Sequence, residues 1–143
     1  MHEAVFQLKA YLMIYSEKTQ SIVITVFPKF ITEESFPNSN HYIWSYHVEI
    51  QNEGKERVQL INRYWNVTDA NGQVKEIRGE GVVGVQPVLE PEEGFEYTSF
   101  VPLSTPFGMM VGTYEMLRTD GTAFNAVIPA FSLASLDFQP TLN

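Results

Sequence analysis

Between Tyr42 and Ile50 every second side chain is large and apolar: Tyr42, Trp44, Tyr46, Val48 and Ile50, with Ser45, His47 and Glu49 between the later members. An alternation of period two places these two sets on opposite faces of a strand, one buried and one wet. The same period predicts an earlier strand through Ile22, Ile24 and Val26, ending near Pro28, and later strands through Phe95, Tyr97 and Val101, through Met110, Tyr114 and Met116, and through Phe124, Ala126 and Ile128. Asn52-Glu53-Gly54-Lys55, Asp69-Ala70-Asn71-Gly72 and Thr119-Asp120-Gly121 read as hairpin turns, and Pro91 and Gly94 flank another reversal. Residues 31–40 and 103–108 read as loops. No convincing helical stripe follows residue 20. Short strands separated by frequent turns predict an all-β chain, an immunoglobulin/fibronectin-III-like antiparallel β-sandwich of about seven or eight strands.

Composition narrows the chemistry. The 143 residues form one ordinary domain, and 44% hydrophobic with 18% charged residues describes a globular chain. Cysteine is absent, which excludes disulfides, thiolate metal sites and cysteine nucleophiles and fits a reducing cytoplasm. The net charge is −8, and the nine Lys and Arg residues are scattered singly, so no basic stripe offers itself to nucleic acid. No apolar run approaches the ~18 residues of a membrane span. Residues 1–12 lack the basic start, apolar core and cleavage site of a signal peptide.

One motif stands out. Gly79-Glu80-Gly81-Val82-Val83-Gly84 matches G-x-G-x-x-G, but Val85-Gln86-Pro87-Val88-Leu89 follows it, and a β-branched stretch broken by proline cannot form the helix of a dinucleotide-binding unit. Two readings stay open: a bend or bulge between strands, and a concavity of backbone N–H groups holding an anion, with Arg63 and Arg78 as the available cations. Arg63 alternates onto the same face as Ile61, Trp65 and Val67. Either a bulge turns it outward, or it is partly buried and paired, because an unpaired buried charge is costly. His41 and His47 lie on one strand at about 3.3 Å per residue, too far apart to share an ion, so no metal site is expected. Neither G-x-S-x-G nor G-x-x-x-x-G-K-[ST] occurs, so no catalytic residues are expected. Phe107, Met109 and Met110, beside a glycine-containing loop, are either an exposed partner-binding patch or core.

The segments Val58 to Trp65, Thr68 to Gly72, Gly79 to Pro87, Phe95 to Ser99, Thr105 to Gly108 and Gly112 to Met116, in that order, resemble the ApaG family across roughly residues 13–137. The resemblance implies a fibronectin-III-like sandwich, and the family's glycine-rich motif maps onto Gly79, Gly81 and Gly84. It also implies that the family-like domain begins near Met13, which makes residues 1–12 an extension poorly tied to the core and residues 13–143 the domain. Many relatives carry a label for cobalt and magnesium resistance or efflux. A chain without a membrane span fits at most an indirect part in divalent cation resistance. The family also implies an interaction module. The expectation is therefore a cytoplasmic, non-catalytic binding domain with no cofactor, which takes an unidentified protein partner. The alternative is a small-anion sensor that takes pyrophosphate or a dinucleoside polyphosphate at residues 78–84.

Overall fold

The computed structural model describes residues 13–135. Nine strands follow one another: β1 (Tyr15–Thr19), β2 (Ile22–Phe30), β3 (Tyr42–Asn52), β4 (Val58–Asp69), β5 (Val74–Glu80), β6 (Val88–Leu89), β7 (Gly94–Leu103), β8 (Phe107–Arg118) and β9 (Ala123–Ala134). They form two antiparallel sheets, β1-β2-β3-β7 and β5-β4-β8-β9, with β6 pairing β4 beyond the end of β5. This is the expected sandwich with more strands than the sequence announced. β1 reads Tyr-Ser-Glu-Lys-Thr and β6 is two residues long, so neither carries enough alternation to be seen. The extension assigned to residues 1–12 lies outside the described residues.

The alternation in β3 is the spine of the first sheet. Trp44, Tyr46, Val48 and Ile50 are buried, and β2 supplies Ile22, Ile24 and Val26 beside them. Trp65, Tyr114, Met116, Phe131 and Leu133 answer from the second sheet. The Tyr46, Trp65 and Phe131 rings meet at the centre with centroids 5.3–6.0 Å apart, in tilted and edge-on contacts.

Two expected hairpins form, β4–β5 over Asp69–Gly72 and β8–β9 over Thr119–Gly121. Asn52–Lys55 is different. It joins β3 of one sheet to β4 of the other, so it is a crossover rather than a hairpin. Asn52 makes that crossover. Its buried Nδ2 donates to the carbonyls of Glu56 (2.8 Å) and Leu89 (3.0 Å), and its Oδ1 accepts from the Gly54 amide (2.9 Å). Its own backbone bonds Glu92 and Glu93, which ties the second crossover, residues 90–93, to the first.

The two lateral sides of the sandwich differ. On one, β1 closes over β9: the Tyr15 ring packs at a tilt against Phe131, and Thr19 Oγ1 accepts from the Val127 amide. On the other, β7 and β5 are edge strands, each paired on one side only.

Candidate functional site

The glycine motif is a hairpin corner. Val82 and Val85 exchange both backbone hydrogen bonds (2.8 and 3.0 Å), which leaves Val83 and Gly84 as a two-residue loop. Both have positive φ, 43° and 82°, the signature of the tight turn that suits the twist of paired strands. Val83 adopts this conformation despite its branched Cβ and stands exposed at the tip. Val82 points the other way, fully into the core.

Behind the turn, the Gly81 amide donates to the Ile61 carbonyl (2.8 Å), and Gln86 Nε2 donates to the same oxygen (3.0 Å). Gly81 has φ +62°, and a Cβ there would stand 2.2 Å from the Val85 carbonyl oxygen. The amides of Gly81, Val82 and Val85 are thus spent on the fold.

Arg63 is held at the same corner. It pairs in register with Gly79 on one side and with buried Tyr114 on the other, so it belongs to the inner face of the sheet. Its Nη1 donates to the carbonyls of Glu80 (3.0 Å) and Gly81 (2.9 Å). The guanidinium lies against Gly79, where a Cβ would approach Nη2 to 2.6 Å. Arg63 is thus partly buried and paired, with backbone carbonyls as its partners. Arg78 stacks on an aromatic ring: its guanidinium lies 4.4 Å from the Tyr64 ring centre and 3.2 Å from Glu76.

Arg63 also faces three interior tyrosines. Tyr97 and Tyr114 share a hydrogen bond between their hydroxyls. Burial pushes both hydroxyls well above the ordinary tyrosine range, and it raises Tyr46 as well; the positive charge of Arg63 opposes the rise in all three. These phenols stay neutral and act as internal hydrogen-bonding groups.

The second candidate patch separates. Met110 is in the core, with 1% of its surface exposed, because it alternates inward with Tyr114 and Met116. Met109 points to the outer face of its sheet and is 37% exposed, and Phe107 is partly buried at the start of β8. Met110 therefore drops out of an exposed patch. It reappears at the bottom of a cleft that the sequence did not announce.

That cleft opens between the edge strands β5 and β7. It holds about 270 Å³, with Tyr46, Val67, Val101 and Met110 reaching its depth and Val74, Ile77, Phe100 and Leu103 at its lips. Val74 and Phe100 are exposed by 57% and 59%. It could not be read in advance because the lips lie on strands of different sheets.

A two-sheet antiparallel sandwich with this crossover pattern is of the fibronectin-III-like class. The model of the ApaG domain matches residues 32–118. Protein ApaG of Rhodospirillum centenum is 57% identical over 122 residues, covering 85% of this chain and 94% of its own. Protein ApaG of Paramagnetospirillum magneticum is 52% identical over 130 residues, 91% of this chain and all of its own. The crystal structure of the putative ApaA protein from Bordetella pertussis superposes with a TM-score of 0.79 at 40% identity, over 87% of this chain and 98% of that one. The chain belongs to the ApaG family. No helix among the described residues is long and apolar enough to cross a membrane.

Proposed function

We propose that this chain is a non-catalytic binding module that receives an extended, apolar segment of a protein partner at the cleft between β5 and β7. One observation carries the reading. Two edge strands with unpaired backbone flank a cleft whose lips are exposed apolar residues, Val74 and Phe100. An extended peptide can add to such an edge through main-chain hydrogen bonds while alternate side chains enter the gap. The buried tyrosines are neutral and the glycine corner is internally bonded, which favours binding over catalysis. The cysteine-free composition fits the cytoplasm as the place of action.

A photo-crosslinking residue placed at Phe100 or Val74, in cells of the native host, tests this. Both positions should capture the same discrete protein, and a control at Val127 on an outer face should not. Equal capture from the control, or none from the cleft, defeats the reading. The alternative anion sensor at Arg78 to Gly84 is tested separately by adding pyrophosphate and dinucleoside polyphosphates. Saturable shifts of the Gly79, Gly81 and Gly84 amides would move the binding function there. The purified chain should not turn over these compounds; sustained turnover abolished by a point change in the domain would overturn the non-catalytic assignment.

A further inference from the structure

The outer face of the first sheet carries a second, unrelated arrangement. His47 and Glu49 both point outward from β3, two residues apart, because the residues between and around them point into the core. In the register of β3 with β7, Thr98 stands opposite His47 and Glu96 stands opposite Glu49. One imidazole nitrogen and one oxygen from each carboxylate all lie within 4.8 Å of one another. These side chains come from two strands nearly fifty positions apart, and pairing alone brings them together.

Three features separate this set from an ordinary acidic surface. Glu49 and Glu96 are direct cross-strand neighbours, an arrangement that disfavours a sheet when both are charged. Neither is in an ion pair with Lys or Arg among the described residues; His47 Nε2 lies 3.7 Å from a Glu96 carboxylate oxygen. The imidazole is also held. Thr98 Oγ1 is 2.8 Å from Nδ1, and the Phe27 ring, on β2, packs with its centroid 5.9 Å from that of the imidazole. With Nδ1–H donating to Thr98, the Nε2 lone pair is directed at the gap before Glu96. A partner on the other ring nitrogen orients a ligating histidine, and a hydroxyl, which both donates and accepts, serves that role in the Nδ1–H tautomer.

We infer that His47 Nε2, Glu49 and Glu96 form a surface site for a divalent transition-metal ion of the Zn²⁺ type, with Thr98 as a positioning residue and water completing the coordination. One imidazole with two carboxylates suits a borderline ion. A hard ion such as Mg²⁺ prefers an all-oxygen shell and keeps its waters. Contraction of the donor atoms to metal-ligand distances needs only side-chain rotation, since all three are on the sheet surface. Phe100, one lip of the cleft, alternates onto this same outer face two residues beyond Thr98, but the donors here are His47, Glu49 and Glu96, and the site does not depend on the proposed peptide.

The test is a titration of the full chain with ZnCl2, followed through the ring ¹⁵N and ¹H signals of His47, which a His47→Gln variant assigns by their loss. The His47 ring signals should shift saturably. Glu49→Gln and Glu96→Gln should each weaken Zn²⁺ binding by about tenfold or more, and Thr98→Val should weaken it by about tenfold through lost orientation. Excess Mg²⁺ should not displace the ion. His47 signals that stay still at millimolar Zn²⁺ overturn the inference, and so does an affinity that survives both glutamine changes. Displacement by equal Mg²⁺ would mark a diffuse acidic surface and overturn it as well. Should a variant unfold, the wild-type ring signals still decide.

Discussion

The corner at residues 79–87 and the outer face around His47 are opposites. The corner bears a conspicuous motif, and several of its donors are bonded internally: the Gly81 amide to Ile61, the Val82 and Val85 amides to each other's carbonyls, Arg63 Nη1 to two carbonyls. The outer face bears no motif, only a plain alternation, and its carboxylates have no Lys or Arg partner among the described residues. A glycine pattern reports where backbone approaches backbone, whether or not a ligand is involved. Free chemistry collects where strands from distant parts of the chain present polar side chains to solvent.

Four measurements can break or sharpen that contrast. The largest effect is expected from Gly81→Val. It forces a branched side chain to φ +62° and drives a Cβ into the Val85 carbonyl, so about 3 kcal/mol or more of stability should be lost, read from the denaturant midpoint. A wild-type midpoint would mean that the corner is not structural. Next comes Arg63→Ala, which removes two charge-assisted bonds and leaves the Glu80 and Gly81 carbonyls without them. A loss of about 1–2 kcal/mol is expected, since the group is only partly buried. No change would show that the arginine is free for an anion after all.

Val83→Asn should act in the other direction. Asparagine tolerates the left-handed region that valine occupies at strain, so stability should rise by about 1 kcal/mol with an unchanged denaturant slope. A drop would mean that the exposed Val83 side chain packs against something essential. The smallest effect belongs to the outer face. Glu49→Gln removes one of two facing charges, and a gain of about 0.2–0.5 kcal/mol is expected at low ionic strength, vanishing in high salt. A loss instead would show that Glu49 already has a stabilising partner.

The legible part of the fold was the part governed by local pattern. Trp44, Tyr46, Val48 and Ile50 declared their buried face through period two, and Asp69–Gly72 and Thr119–Gly121 declared their hairpins through turn chemistry. Asn52 misled because a turn-forming residue looks the same whether it returns the chain to its own sheet or sends it to the other. Met110 was undecided for a similar reason: alternation assigned it a face, and only the packed second sheet decided that the face was inside.

By itself, the sequence determined the class of the protein: an all-β, cysteine-free, acidic domain of the ApaG family with glycines where the chain must turn tightly. Those properties are set by side-chain periodicity and backbone sterics, which act over a few residues. Tertiary structure alone decided that Arg63 serves the Gly79–Gly81 corner, that Val74 and Phe100 flank one cleft, and that His47 and Glu49 meet Glu96. Each of these depends on cross-strand register or on the stacking of two sheets. Register is a collective outcome of the whole buried face, so no local window of sequence contains it.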